Sequence, residues 1–214
     1  MMFEKIAAFF SSAGFAVVAI FGINLGTEEP PYQVVEVIGP HMEIRSYPSR
    51  LAAETTVPVA GEKSPDSRAF GIIAAYIFGD NQSRSAIAMT APVETQSASA
   101  KGQTIAMTAP VDVAANSGSM TMRFFMPSSY TQESLPVPNN PQVKIVRVES
   151  QIFAVRRYSG LSDQSDVAQQ AEALQAALKA TTWTPVSAPR AYYYNPPWTL
   201  PMLRRNEVVI EVRR

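Results

Sequence analysis

The chain has 214 residues, of which 46% are hydrophobic and 17% charged, and its formal net charge at pH 7 is +0. This length suits one domain with a substantial core, and the balanced charge offers no basic field for binding nucleic-acid phosphates. The absence of cysteine excludes thiol catalysis, thiolate metal sites and disulfides, and the single histidine, His41, would have to carry any histidine-based zinc site or catalytic triad alone.

The N-terminal segment is apolar over about the length that crosses a bilayer. No charged residue occurs between Ile6 and Leu25, Lys5 precedes the run, and two glutamates follow it. The position of Lys5 favours an N-terminus inside the cytoplasm and a chain outside it. We expect residues 1–26 to form a hydrophobic helix that serves as an uncleaved signal anchor; a cleaved signal peptide, followed by secretion, is the alternative.

A polar, proline-containing linker at residues 27–31 (TEEPP) separates this segment from a domain that covers residues 32–214. Alternating apolar and polar residues within the domain predict a series of β-strands. The predicted strands are Tyr32–Gly39, His41–Tyr47, Leu51–Val59, Met120–Met126, Val143–Glu149, Ile152–Tyr158 and Glu207–Val212.

Two helices are predicted between these strands. The first runs from about residue 66 to 78, because Ser64 is a good N-cap, a proline follows it, and Gly79 is a good helix stop. The second covers residues 162–180, where apolar residues recur every three or four positions. The apolar stripe of the first helix consists of Phe70, Ile73, Ala74 and Ile77.

The heptad IAMTAPV occurs twice, at Ile87–Val93 and at Ile105–Val111, with a small polar segment between the copies. The pattern predicts two similar strands joined by a loop. The proline near the end of each copy should lie at a strand end, an edge or a bulge, because it lacks a backbone donor. Met89 and Met107 either fill the core, as methionine usually does, or line a pocket for a flat apolar ligand.

The two halves of the domain align without gaps at an offset of 111 residues, which matches Arg45 with Arg156 and Tyr47 with Tyr158. Repeated sequence units usually form repeated supersecondary structure. We therefore predict an α+β fold in which two β-β-α-β halves, related by a pseudo-twofold axis, form a distorted antiparallel barrel or curved sheet with two helices against it. Arg45 and Arg156 are either solvated and paired with carboxylates, or bind an anionic group at a pocket between the halves.

Four segments resemble the SOUL, or haem-binding protein, family: MEIRSYPSRLAAETTV, IAMTAPV, MRFFMPSSYTQESLPVPNNPQV and YNPPWTLPMLRRNEVVIEV. The resemblance covers Tyr32 to Val212, and the apolar N-terminus is similar to that of bacterial members. It implies a barrel of two βαβ units, like the effector-binding domains of some bacterial regulators. It also implies binding of haem or another tetrapyrrole rather than catalysis. The N-terminal segment, as a signal anchor, would hold this domain on the periplasmic side of the membrane, and as a cleaved signal peptide it would lead to secretion.

The resemblance also bears on the residues that hold the ligand. Some family members have a histidine, proposed as the iron ligand, between the arginine and tyrosine of an R-x-Y motif, but Ser46 occupies that position here. His41 is then a weak candidate, and methionine or tyrosine can also ligate haem iron, which adds Met89, Met107, Tyr47 and Tyr158. If apolar contact holds the ring, the resemblance implies that Phe70, Ile73 and Ile77 face it, with Arg45 or Arg156 near the carboxylates.

The favoured function is therefore a non-catalytic carrier or buffer of a tetrapyrrole, with a membrane contact through the N-terminal helix and no nucleic-acid partner. The alternative is an effector-type module that binds another amphipathic small molecule, or a domain that binds a protein partner. An enzyme would require a buried carboxylate as base, and the candidates are Glu36, Glu43 and Glu54. Strand alternation places the first two at outward, solvated positions.

Overall fold

The computed structural model describes residues 28–83, 102–106, 108–116, 118–195 and 199–214. Within them lie two helices, α1 (Pro65–Ile77) and α2 (Gln164–Leu178), and a short 3-10 helix (Pro201–Leu203). The strands, in chain order, are β1 (Gln33–Gly39), β2 (Met42–Tyr47), β3 (Arg50–Pro58), β4 (Asn81–Gln82), β5 (Val111–Asn116), β6 (Ser119–Phe125), β7 (Val137–Pro138), β8 (Lys144–Val148), β9 (Gln151–Tyr158), β10 (Thr184–Pro185), β11 (Arg190–Tyr193) and β12 (Asn206–Arg213).

Ten of these strands form one curled antiparallel sheet, a half-barrel, in the order β1-β2-β9-β12-β11-β5-β6-β3-β8, with β10 paired to the end of β12. Strands β4 and β7 form a separate pair. The α+β class and the curved antiparallel sheet with two helices are thus confirmed. The predicted N-terminal helix, residues 1–26, lies outside the described residues. No helix in the described part of the chain has the length and apolar character needed to cross a membrane.

A pseudo-twofold axis passes between the central strands β5 and β11, where Val113 pairs with Ala191. On either side of the axis the same units recur, since β3, α1, β5 and β6 correspond to β9, α2, β11 and β12. The strands that precede these units are exchanged: β2 pairs with β9 of the other half, and β8 pairs with β3. Each half therefore completes the sheet of the other.

The repeat is real, but its predicted offset of 111 residues is wrong. Arg50 pairs with Val148 across β3 and β8, and Gln151 pairs with Tyr47 across β9 and β2. The two pairs are equivalent, and each residue lies 101 positions from its counterpart. The alignment at 111 matched β2 with β9, which are hydrogen-bonded neighbours. An error of ten residues keeps the alternation of inward and outward side chains, so the sequence pattern could not reveal it.

Both helices have the expected local signals. α1 starts with a proline after Ser64, whose side chain makes no capping hydrogen bond, and it ends before Gly79, whose φ of 116° is accessible to glycine. α2 is capped by the side chain of Asp163, which accepts hydrogen bonds from the backbone amides of Ser165 and Asp166, both at 2.9 Å. α1 begins and ends one residue earlier than predicted, and α2 is shorter than predicted by two residues at each end.

The predicted hairpin of the two IAMTAPV copies is not observed where it can be examined. The first copy lies outside the described residues. In the second copy, Val111 alone belongs to a strand, β5, and Pro110 immediately precedes it, at a strand end as predicted. At the start of this copy, the amide of Ile105 donates a hydrogen bond at 2.8 Å to the carbonyl of Ile77, the last residue of α1. This copy therefore caps the end of a helix before it enters the sheet.

The two faces of the sheet carry separate cores. The face that contacts the helices holds one cluster under α1, which includes Ile73 and Phe124, and another under α2, which includes Leu174 and Val208. The opposite face is filled largely by aromatic and β-branched side chains. Its buried apolar residues are Tyr47, Ala52, Ala109, Phe125, Val148, Phe153, Val155, Tyr192, Tyr194 and Val209.

The packing under α1 predicts that truncating a buried side chain on this helix destabilises the protein far more than truncating an exposed side chain of similar size on an edge strand. Ile73 has no exposed surface, whereas Val37 on the edge strand β1 is 69% exposed. We expect Ile73→Ala to lower the free energy of unfolding by about 2–5 kcal/mol through lost burial and a residual cavity. We expect Val37→Ala to change it by less than about 0.5 kcal/mol. Urea unfolding of both variants tests this, and equal effects would contradict the assigned core.

Candidate ligand-binding groove between the two helices

Each helix covers its own pair of strands and leaves the two central strands less covered. α1 packs on β3 and β6, and α2 packs on β9 and β12. The helix-facing residues Phe124 on β6 and Val208 on β12 are fully buried, whereas Val111 and Val113 on β5 and Tyr193 on β11 are half-buried. The central strands thus form the floor of a groove between the helices, at the pseudo-twofold axis. We call it the interhelical groove.

Aromatic side chains line the interhelical groove. Neighbours paired across adjacent strands point to the same face of a sheet. One such row crosses the floor and consists of Tyr158, Asn206, Tyr193, Val111 and Phe124. Phe70 of α1 is 43% exposed and packs edge-on against Phe124, with 5.6 Å between ring centroids. The groove therefore presents the ring of Phe70 on the α1 side, supported from below by Phe124, and phenols on the α2 side.

The two phenols at the floor are neutral at physiological pH. Burial raises the pKa of Tyr193 to about 12, with a further contribution from Asp66 at the start of α1. Burial also raises the pKa of Tyr158, assisted by Tyr193 and by the carboxylates of Asp166 and Asp163. The Tyr158 hydroxyl makes no hydrogen bond with the described residues. The floor is thus apolar and aromatic, with one buried hydroxyl that has no partner among the described residues.

Of the residues predicted to contact the ligand through apolar surface, some lie at this groove and others do not. Phe70 lies at its edge. Ile73 and Ile77 are buried beneath α1, in the core cluster against β3 and β6, so they support the helix from below. Met89 and Met107 lie outside the described residues. Of the three predicted contact residues on α1, Phe70 alone is exposed, because Ile73 and Ile77 face the sheet.

The two predicted arginines are neither equivalent nor close together in the fold. Arg45 lies on the face opposite the helices, where it donates to both carboxylate oxygens of Glu207 at 3.1 Å and to Glu43 at 2.7 Å. Glu43 is thus paired rather than simply solvated. Arg156 lies on the helix-facing side, where its Nε donates to the side chain of Gln170 on α2 at 2.6 Å. Arg45 is already neutralised, whereas Arg156 meets a neutral amide.

His41 occupies the turn between β1 and β2. It is exposed, has a φ of 59°, and its carbonyl accepts a hydrogen bond from the amide of Arg157 at 2.9 Å. The turn is therefore next to Tyr158 at the α2 side of the groove, but three strand spacings separate β2 from β11, which places it roughly 14 Å from Tyr193 at the axis. The described residues contain no group of three acidic, histidine or cysteine side chains suited to a metal ion. The single histidine of the chain thus lies away from the centre of the groove floor.

Sequence reasoning missed a buried carboxylate on the face opposite the helices. Glu207 on β12 has no exposed surface and accepts hydrogen bonds from Arg45, from the Tyr194 hydroxyl at 2.7 Å and from Arg205 at 2.9 Å. Arg205 also pairs with Glu29 at the start of the described chain. The available signal was the alternation of Glu207 with valines in β12, which is compatible with either an exposed or a buried glutamate.

A second buried carboxylate lies near the axis on the same face. Asp112 on β5 is 3.6 Å from Arg123 and 3.6 Å from Arg190, and its Oδ1 has no hydrogen-bond partner among the described residues. Burial raises the pKa of Asp112 above its ordinary 3.8, with both arginines opposing the effect. Loss of hydration therefore outweighs two ion pairs at distances that are long for hydrogen bonds.

Comparison with known families identifies the chain. The model of the SOUL heme-binding protein family matches residues 27–211. The chain therefore belongs to the SOUL family, as the resemblance of its motifs predicted. The sequence search against curated proteins found no match.

Several solved structures have the same fold at low sequence identity. The C-terminal domain of EcmrR has a TM-score of 0.54 at 12% identity, covering 86% of this chain and 98% of that domain. EcmrR in a DNA complex has a TM-score of 0.53 at 11% sequence identity, and the alignment covers 100% of this chain and 65% of the EcmrR chain. An uncharacterized conserved protein from Listeria innocua has a TM-score of 0.52 at 14% sequence identity, and the alignment covers 80% of this chain and 92% of that protein. At these identities the likeness establishes the fold alone.

The environment of Asp112 predicts a pH effect on stability. Because its native pKa is raised, the native state binds more protons than the unfolded state between the two pKa values. Stability from this residue is therefore complete below about pH 3.8 and is lost as the pH rises through the native pKa. We expect Asp112→Asn to weaken this decline, measured by urea unfolding across pH. The exposed Asp80→Asn is the control, and an equally steep decline in Asp112→Asn would contradict the assignment.

Proposed function

We propose that this protein binds haem or another tetrapyrrole in the interhelical groove, as a non-catalytic carrier or buffer. The observation that carries the proposal is a half-open aromatic floor at the pseudo-twofold axis of a SOUL-family fold. Small-molecule sites are typically concave and mostly apolar, with a few polar groups that fix orientation. The floor of this groove has that composition.

The residues of the groove suggest how a tetrapyrrole would be held. The ligand supplies a large planar apolar ring and carboxylates at its edge. Phe70, Val111 and Tyr193 would contact the ring, and the free Tyr158 hydroxyl would donate to its polar edge. Arg156 is a better carboxylate partner than Arg45, because Arg45 already pairs with two glutamates. Met89 and Met107 remain proposed ring contacts, and His41 remains a weak proposed iron ligand.

The chemistry of the same groove supports the proposal of a non-catalytic role. The phenols at its floor are held neutral by burial, so they are poor bases at physiological pH. Of the carboxylates considered as bases, Glu54 and Glu43 each pair with an arginine, at 2.6 and 2.7 Å. Both carboxylates therefore take part in ion pairs within the sheet.

The second candidate is an effector-type module that uses the same groove for another amphipathic molecule. The structural likeness to the EcmrR C-terminal domain favours this possibility at the level of fold. A protein partner is a further version, and the loop between Pro127 and Pro141 is the place to look for it. In either case we propose that residues 1–26 anchor the domain to the membrane on the periplasmic side, or direct its secretion.

A haemin titration of the full-length chain, followed by absorption, tests the proposed function. We expect a sharp Soret band that saturates near one haemin per chain. We expect Phe70→Asp to weaken binding by about 10–100-fold, because a charged side chain replaces an apolar contact at the groove edge. Linear uptake without saturation would contradict tetrapyrrole binding. Stabilisation by a different amphipathic molecule, without any response to haemin, would favour the effector-type alternative.

Two control variants locate the bound ring. Phe78→Asp introduces the same charge at a phenylalanine that is 63% exposed just beyond the end of α1, and it should bind haemin as the wild type does. His41→Ala should also be unchanged, because the turn lies away from the groove floor. Loss of the Soret band in His41→Ala would instead place His41 on the iron, and equal losses in Phe70→Asp and Phe78→Asp would move the ring off the groove.

A further inference from the structure

Arg50, the first residue of β3, is a buried cation without a hydrogen-bond partner. The residue is 8% exposed. Its Nε, Nη1 and Nη2 atoms are all buried, and none makes a hydrogen bond with the described residues. The other buried arginine on this face, Arg45, has its donors occupied by Glu43 and Glu207. An unpaired buried charge is costly, so the position needs an explanation beyond packing.

Two aromatic rings lie against the Arg50 guanidinium. Its Cζ lies 4.1 Å from the ring centroid of Phe125 and 4.5 Å from that of Tyr47. Such stacking stabilises a cation through the faces of the rings. It leaves the N–H groups, which lie in the plane of the guanidinium, available for an acceptor. The geometry thus fixes the orientation of a planar fork of donors and leaves that fork unused.

The surroundings of Arg50 also contain unpaired polar atoms. The hydroxyl of Tyr192 is buried and makes no hydrogen bond with the described residues. The ring of Tyr192 packs edge-on against Phe125, with 6.2 Å between centroids, so it belongs to the same aromatic cluster. The nearby carboxylate of Asp112 is taken up by Arg190 and Arg123, each at 3.6 Å. An anion would satisfy the donors of Arg50 and the Tyr192 hydroxyl at once.

The pseudo-twofold axis provides an internal comparison. The counterpart of Arg50 in the other half is Gln151, which occupies the same position in the register with the exchanged strand. Gln151 is neutral, and its amide donates to Glu211 at 2.9 Å. The fold therefore accepts a neutral, hydrogen-bonded side chain at this position. The charge of Arg50 is not required to build the sheet.

We propose that Arg50 is the centre of a second ligand site, on the face of the sheet opposite the interhelical groove, which binds a small organic carboxylate with a flat apolar body. The guanidinium fork matches a carboxylate in a bidentate manner, and the rings of Tyr47, Phe125 and Tyr192 provide walls for the apolar part. Pro48 and Ser49, which immediately precede Arg50, are exposed, so the site lies at the rim of the half-barrel and a ligand can approach from there.

The test is thermal unfolding of the full-length chain with benzoate as the probe and benzamide as its neutral counterpart, at constant pH and ionic strength. At a benzoate concentration 100-fold above its Kd, we expect the unfolding midpoint of the wild type to rise by about 5–10 °C, and benzamide to have no such effect. Absence of a benzoate effect on the wild type would overturn the proposal, as would equal stabilisation by benzamide. A response to phosphate but not to benzoate would also overturn it, because the site would then suit a tetrahedral anion.

Variants separate a binding role for Arg50 from a structural one. Arg50→Met keeps the length of the side chain without the charge; it should raise the midpoint of the ligand-free protein and abolish the response to benzoate. Arg50→Lys keeps the charge without the planar fork and should retain a reduced response. Arg147→Met, on the neighbouring strand β8 and exposed, is the matched control with a wild-type response. A lower ligand-free midpoint in Arg50→Met, or an undiminished benzoate response in either Arg50 variant, would overturn the proposal.

Discussion

The exchange of strands between the two halves is the constraint on which the rest of the structure depends. β2 completes the sheet of the second half and β8 completes that of the first, while β5 and β11 meet at the axis. Hydrogen bonds across these pairings join distant parts of the sequence into one continuous sheet. Because each helix then covers only its own flanking strands, the central strands stay partly open, and this opening is the interhelical groove.

The two faces of the sheet have different electrostatic characters. On the helix-facing side, the groove floor is neutral and aromatic, since burial keeps Tyr158 and Tyr193 protonated. The opposite face combines aromatic rings with buried charges, of which Glu207 and Arg45 are paired with each other. Arg50 differs from them in having aromatic rings against its guanidinium and no hydrogen bond to the described residues. The same sheet can therefore separate a site for a flat apolar ligand from a site for an anion.

Much of the fold was predictable from the sequence, because its elements have strong local signals. The spacing of Ile73 and Ile77 indicated the buried face of α1, and the strand alternation and the motifs of the family indicated a duplicated, curved antiparallel sheet. The offset of the repeat was wrong because neighbouring strands share the same alternation. The charged residues were harder to place, since the alternation of Glu207 and Arg50 does not say which face the curling of the sheet will bury. Glu207, the buried partner of Arg45, likewise comes from a strand distant in sequence.

The exchanged strands also determine what happens when the chain is divided. A cut within the loop between β6 and β8 would separate two fragments, each carrying a strand that belongs in the sheet of the other. Each fragment alone would expose the backbone donors and acceptors of its outer strand, where β2 or β8 is normally bound. The fragments should therefore complement each other when mixed. In the intact chain, the same arrangement gives two copies at high concentration a route to trade halves and form an intertwined dimer.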